Sequence, residues 1–354
     1  MKNKSGVRFF IILLIFGLVA VNLMWNTGKF NSLTVPGEAS GNAAVKKKLT
    51  RDMPDRSFIL SEIASSYGEI SAPQSTAAFE LGVCSRDVFC RNKCVITPIC
   101  GSAVEWASSD TSVADVSSAG VVTTYKAGTA VISAKDAEGR TDECTINVLK
   151  VAYLTIDDTP TQFTPKLLDT LDKYDVKATF FMNAAPKQKA QYQEIYKRGH
   201  TFALHGYSHH TSYRNGEAFL ENIEKCRQFI IETTGCKYVD NIFRFPTGSK
   251  GQKKYDEILD YMHQKNYLAF DWTTEFHDYY YHSANGCFNY FQKYFDYNYV
   301  NPSMDYAVVL FHPREWSVEA LPRVIEYIKE KGYTFATVTE DTAEYNFRAE
   351  YLND

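Results

Sequence analysis

The chain lacks an excess of positive charge: 38 Lys and Arg stand against 42 Asp and Glu, a formal net charge of −4. Its longest basic run, Lys46-Lys47-Lys48, is too short to track a row of phosphates, so the sequence predicts no nucleic-acid partner. It also lacks the composition of a disordered chain. With 24 Tyr, 23 Phe and 45% hydrophobic residues there is ample material for a core. Four of the eight cysteines, Cys84, Cys90, Cys94 and Cys100, crowd into one stretch, but they lack the paired knuckle spacing of a structural zinc site. No small-x-small cleavage site follows the apolar run at the N-terminus, where Lys2, Lys4 and Arg8 precede residues 9–25.

That run reads as a signal anchor or signal peptide at 1–25, with cations kept on the cytoplasmic side. Seventeen residues are near the lower limit of about 17–25 for a spanning helix, which favours an uncleaved anchor over a secreted form. The rest of the chain is thereby placed outside the cytoplasm, where disulfides persist, and pairing of the clustered cysteines is expected. Residues 26–74, rich in Ser, Lys, Ala and Gly, read as a tether. From 75 to 150 short β-prone runs at 103–107, 113–116, 120–125, 129–134 and 143–149 alternate with turn residues, the rhythm of a β-sandwich. The segment from Trp106 to Val116, then Gly120-Val121-Val122 and the stretch from Ala127 to Ala134, resembles bacterial Ig-like domains of group 2. The sandwich is expected to bury Trp106 in a core of its own, separate from the core of the C-terminal half.

After residue 151 the rhythm changes to strand then helix. Apolar runs at 152–156, 178–182, 201–204, 241–245, 268–270, 307–311 and 334–338 predict seven βα units, a parallel sheet closed into a distorted (β/α)7 barrel over 151–345. Chemistry is expected just beyond the C-terminal strand ends. There stand Asp157-Asp158, His205 with His209, Arg244, the segment from Asp271 to Asp278, and His312. Singly each has a bland reading: a turn, a chance His pair, a surface arginine. Jointly, two imidazoles and a carboxylate make a facial set for a divalent metal, with a second carboxylate and a third histidine left over for proton transfer.

In order and content these blocks resemble the NodB-type polysaccharide deacetylases, carbohydrate esterase family 4. The resemblance implies Asp157 as general base and Asp158, His205 and His209 as ligands of a divalent ion, zinc first and cobalt, nickel or manganese as substitutes. It implies Arg244 as the residue that orients the base. Reading Trp272 to Tyr279 against the family's fourth motif gives Asp278 as partner of the catalytic acid, with Trp272 and Tyr279 as pocket aromatics. Leu310 then lines the acetyl pocket and His312 is the acid, while Thr247 offers its backbone N–H to the oxyanion. Three positions depart from the family pattern: Thr159 for glycine, Thr247 for an aromatic, Tyr279 for Trp. Thr159 matters most, because a β-branched residue at positive φ is strained. The activity implied is removal of N-acetyl groups from a cell-surface polysaccharide, peptidoglycan first. The alternatives are an O-acetyl esterase using the same site, or a surface binding or adhesion protein without catalysis.

Overall fold

The computed structural model describes residues 79–83, 85–251, 253–299 and 304–347. All lie in one compact unit, residues 76–354. The expected anchor at 1–25 and tether at 26–74 fall outside the described residues. Among these no helix is long and apolar enough to cross a membrane.

The sandwich begins with the ribbon β1 (Glu80–Leu81) and β4 (Pro98–Cys100). Strands β2 (Ser85–Phe89), β9 (Thr141–Leu149), β8 (Gly128–Lys135) and β5 (Glu105–Ser108) pair in that order; β3 (Lys93–Val95), β7 (Val121–Thr124) and β6 (Ala114–Val116) form a second sheet. Alternation does the sorting, as the sequence predicts: Ala130, Ile132 and Ala134 of β8, with Cys144, Ile146 and Val148 of β9, are buried. Gly120 sits at φ +74 with a would-be Cβ 2.5 Å from the Ile96 carbonyl and 2.9 Å from the Trp106 ring, so only glycine fits that turn. Among the described residues the expected disulfides are not found, and Cys84 lies outside them. Among the described cysteines seven are free; Cys90, for example, donates its thiol to the Tyr125 carbonyl at 2.8 Å.

The second half runs β10 (Val151–Thr159), α1 (Thr164–Lys173), β11 (Thr179–Met182), α2 (Lys189–Lys197), β12 (Thr201–Leu204), α3 (Gly216–Thr234), β13 (Ile242–Phe243), α4 (Tyr255–Gln264) and β14 (Leu268–Ala269). It continues with β15 (Thr274–Glu275), α5 (Ala284–Tyr299), β16 (Tyr306–Phe311), α6 (Glu315–Glu330) and β17 (Thr334–Ala336). Every ladder is parallel, in the order β14-β13-β12-β11-β10-β16-β15, with β17 also on β10. The seven anticipated strands are present, but the barrel does not close: β14 and β15 end the sheet at opposite sides. The sheet is therefore a half-barrel. The C-terminal segment takes up hydrogen bonds near this gap, with Phe270 bridged to Tyr345 and the Asp271 N–H donating to the Tyr345 carbonyl at 2.7 Å.

Because side chains alternate along a strand, each strand feeds two cores. Ala152, Leu154, Ile156, Phe180, Met182, Leu204, Phe243, Ala307, Val309 and Phe311 pack with the helices. Their neighbours Tyr153, Phe181, Ala203, Ile242 and Val308 point to the concave face, and they share a single cluster with Ile132, Ile146 and Val148 of the sandwich. This corrects the expectation of separate cores. The sandwich supplies the floor of the half-barrel, and Trp106 is only half-buried beside that shared core. Polar contacts seal the junction: Asn92 Nδ2 donates to the Tyr153 hydroxyl at 2.6 Å, the Ala343 N–H to the Arg91 carbonyl at 2.8 Å, and the Ala127 N–H to Asp305 at 2.7 Å.

Candidate active site

The concave face continues upward at a spacing of two. Above Tyr153 come Thr155 and Asp157; above Ala203, His205; above Ile242, Arg244; above Val308, Leu310 and His312; above Phe270, Trp272. The apolar floor thus gives way to polar groups at the C-terminal strand ends. There a cavity of about 320 Å³ is lined by Asp157, Asp158, His205, His209, Leu310 and His312, with Thr247, Trp272 and Tyr279 around them. Every ligand and substrate-pocket residue expected from the sequence lines this one cavity, as do the acid and the base. Arg244 and Asp278 stand behind it, hydrogen-bonded to Asp157 and His312.

Arg244 is wholly buried. Its Nη1 donates to Asp157 Oδ1 at 2.7 Å and to Thr155 Oγ1 at 3.0 Å, its Nε to the Phe270 carbonyl at 2.7 Å, and its Nη2 to the Asp271 carbonyl at 2.9 Å. The guanidinium plane lies 4.1 Å above the Phe181 ring. Such a fork fixes the carboxylate it holds, which a lysine could not do. Asp157 is itself buried, with its second oxygen 3.7 Å from His205 Nε2.

Asp158, His205 and His209 offer one ligand atom each within 4.8 Å of one another. Asp158 Oδ1 lies 3.9 Å from His205 Nε2 and 3.7 Å from His209 Nε2. Two donors of one ion at about 2.0–2.2 Å stand at most about 4.4 Å apart, so small rotations of the partly exposed Asp158 and His209 side chains complete a three-donor site. The second contacts fit as well. His205 Nδ1 donates to the Arg244 carbonyl at 2.9 Å, which fixes the tautomer and leaves Nε2 free to ligate. Burial holds His205 below the ordinary histidine range, against the pull of Asp157 and Asp158, as a neutral ligand requires. Adjacent His210 is exposed and outside this set, as the sequence suggests.

Across the cavity, His312 Nδ1 donates to Asp278 Oδ1 at 2.8 Å, and Asp278 Oδ2 accepts from the His312 N–H and the Ser317 hydroxyl, each at 2.7 Å. His312 Nε2 faces the site, 4.0 Å from Asp158 Oδ2. Burial alone pushes His312 down, yet the Asp278 bond and charge, with Asp157 and Asp158, outweigh it and raise the imidazole above its usual range. Asp278 is held low in turn: its burial is outweighed by the bonds from His312 and Ser317 and by the charge of His312.

The departures from the family pattern resolve in an unexpected way. Thr159 is not at positive φ; among the residues lining the cavity the left-handed ones are Asp158 at φ 55 and Thr247 at φ 67. Thr159 is buried, with its hydroxyl on Met182 Sδ at 2.9 Å, so the anticipated strain does not arise there. It arises instead at β-branched Thr247, on the rim of the cavity, where such backbone costs about 1–3 kcal/mol.

Sequence reasoning missed two residues that line the cavity, Glu275 and Arg314. Glu275 had a signal, since it stands at an acidic position of the fourth motif; Arg314, two residues after His312, had none. Asp271, flagged as a candidate, proves to be a staple: it accepts the Ser249 N–H at 3.0 Å and the Phe347 N–H at 2.9 Å, and is only 2% exposed.

Comparison with known proteins agrees with this geometry. A family model for polysaccharide deacetylase matches residues 147–269, and one for the bacterial Ig-like domain (group 2) matches 97–146. The chain is 33% identical over 198 residues to the putative polysaccharide deacetylase YheN of Bacillus subtilis, covering 54% of this chain and 68% of that protein. It is 28% identical over 207 residues to a peptidoglycan-N-acetylglucosamine deacetylase of Bacillus cereus, covering 54% and 71%. Among solved structures, the catalytic domain of peptidoglycan N-acetylglucosamine deacetylase from Eubacterium rectale is similar, with 31% identity, a TM-score of 0.50, and coverage of 56% of this chain and 93% of that one. Motifs gathered into one cavity, and a relative above 30% identity matched over two thirds of its length, lead to one conclusion: the chain belongs to the polysaccharide deacetylase family, with an Ig-like group-2 domain before the catalytic fold.

Proposed function

We propose that this protein hydrolyses N-acetyl groups on a cell-surface polysaccharide, with peptidoglycan as the first substrate and a divalent ion, zinc first, held by Asp158, His205 and His209. The carrying observation is the opposed pair around that site: Asp157 locked by Arg244 on one side, and His312 locked by Asp278 on the other. Amide hydrolysis needs a proton removed from water and another delivered to the leaving nitrogen, and two separately held groups meet that need.

A divalent cation in this donor set supplies Lewis-acid polarisation of the acetyl carbonyl and makes water more acidic. The residues do the rest. Asp157 accepts the proton of the attacking water, the Thr247 backbone N–H faces the developing oxyanion, and His312 Nε2 delivers a proton to the amine as acetate leaves. Leu310, Trp272 and Tyr279 shape the wall around the acetyl group. Support for a glycan comes from the relatives whose names carry peptidoglycan N-acetylglucosamine. An extracytoplasmic, membrane-anchored location rests on residues 1–25 of the sequence.

The test is acetate release from a panel of N-acetylated glycans, with O-acetylated xylan as the ester control, after metal stripping and after addition of Zn²⁺ or Co²⁺. Metal-dependent acetate from the N-acetylated panel is expected. Release from the O-acetyl substrate alone would move the reading to an esterase.

A further inference from the structure

Thr247 and Gly248 both hold left-handed backbone, at φ 67 and φ 72. Glycine takes that conformation freely, whereas a β-branched threonine relaxes out of it unless its surroundings hold it there. What holds it lies outside the catalytic cavity. The next residue but one, Ser249, donates its N–H to Asp271 Oδ1 at 3.0 Å, and the other oxygen of that buried carboxylate accepts the Phe347 N–H at 2.9 Å. Phe347 packs edge-on against Trp272, with ring centroids 4.9 Å apart. A Cβ built on Gly248 would stand 2.8 Å from the Trp272 ring and 3.1 Å from the Phe347 ring. The loop is therefore tied down at Ser249 and walled in at Gly248, and Asp271 anchors both the tie and the Phe347 wall. Asp271 is fixed at its own backbone too: its N–H donates to the Tyr345 carbonyl at 2.7 Å, and its carbonyl accepts from Arg244 Nη2 at 2.9 Å. No step of the hydrolysis described above uses the Asp271 carboxylate.

We infer that Asp271 is a positioning residue for the hydrolysis: by pinning Ser249 and Phe347 it keeps Thr247 in left-handed backbone, and so keeps the Thr247 N–H aimed at the oxyanion. This rests on the proposed deacetylation, in which that N–H faces the developing charge. A donor aimed at an oxyanion acts mainly in the transition state, and losing one outright costs about 10²–10³-fold in rate. The loss of Asp271 therefore falls on kcat and spares KM. It also depends on residue 247. Threonine released from its hold moves out of the strained region and takes its N–H with it, whereas glycine has no such strain to release.

The experiment uses the full chain loaded with Zn²⁺ and the β-1,4-linked N-acetylglucosamine hexamer as substrate. The quantity read is the factor by which Asp271→Ala lowers kcat, first with threonine at position 247 and then in the Thr247→Gly background. With threonine a fall of about 10–10²-fold is expected, with KM within about twofold; with glycine the fall should be less than about threefold. An equal fall in both backgrounds, or an Asp271→Ala protein with lowered Tm and wild-type kcat, would show a structural role alone and overturn the inference. If Asp271→Ala does not fold, Phe347→Ala takes its place. It keeps the carboxylate, removes the ring that walls in Gly248, and should show the same dependence on residue 247; an equal fall in both backgrounds, or none, overturns the inference. If the wild type releases no acetate, the functional reading fails on its own. Hydrogen exchange of the 245–251 segment then decides whether Asp271 holds the loop: exchange at least about tenfold faster in the variant upholds it, and unchanged exchange removes it.

Discussion

Replacing Arg244 with lysine keeps the charge and removes the fork. The guanidinium makes four hydrogen bonds with no access to water, to Asp157, Thr155 and the carbonyls of Phe270 and Asp271. An ammonium on a flexible stem has three donors pointing from one atom and cannot reach acceptors spread around a plane. At least two buried acceptors lose their partners, at about 1–3 kcal/mol each, so a stability loss of about 2–6 kcal/mol is expected. For a folded unit of this size that lowers Tm by roughly 5–15 °C. The catalytic effect is separable from it. Asp157 loses the bond that aims it, and a misplacement of about 1 Å at a reacting group costs roughly 10²-fold in rate, with substrate binding largely kept. Thermal unfolding followed by circular dichroism gives the first number, and acetate release at a temperature where the variant is fully folded gives the second. If Arg244→Lys leaves both Tm and kcat at wild-type values, the fork does not position the base.

His200 is buried, its Nδ1 accepts the Ala178 N–H at 3.2 Å, and burial lowers its pKa from 6.5 to about 4. The unfolded chain therefore takes up the proton first: stability is intact above pH 6.5 and declines as pH falls toward 4, by about 1.4 kcal/mol per pH unit and about 3 kcal/mol in all. His200→Asn, which keeps an acceptor but does not titrate, should flatten that decline in denaturant melts taken from pH 7 to 4; an unchanged slope contradicts the assignment. Truncation before Lys150 should give an aggregating or unfolded catalytic half, because Tyr153, Phe181 and Phe270 lose their floor at about 1.5–3 kcal/mol each. A soluble truncated protein with the full-length Tm would show that the shared core is dispensable.

The strands of the catalytic half were legible because a parallel sheet covered on both sides leaves near-continuous apolar runs such as Val151 to Leu154 and Val308 to Phe311. The same property hid the shared core. When both faces are apolar, the sequence does not say which neighbour each face meets, and nothing distinguishes Tyr153 or Ile242 on the floor from Leu154 or Phe243 under the helices. Closure of the barrel was illegible for a related reason. It depends on whether two short strands, β14 and β15, reach each other, and Thr274–Glu275 is too brief to show a period at all. The gathering of Asp157, Asp158, His205, His209, Arg244 and His312 was more legible, since each stands at or just after a strand end, where a parallel sheet collects its polar groups. Thr159 shows the limit: its motif marks a special backbone position nearby, but only the chain path reveals that Asp158 and Thr247 occupy the left-handed region.

In the proposed mechanism Asp157 and His312 divide proton transfer between them. The most direct measurement is kcat for acetate release from an unactivated N-acetylated glycan, by the Zn²⁺-loaded full chain and by its Asp157→Asn and His312→Ala variants, with bound metal quantified in each. Asp157→Asn is expected to abolish turnover while keeping metal, and His312→Ala to lower kcat by roughly 10²–10⁴-fold, the range for one general acid or base. A His312→Ala protein that releases acetate at the wild-type rate from that substrate would contradict it.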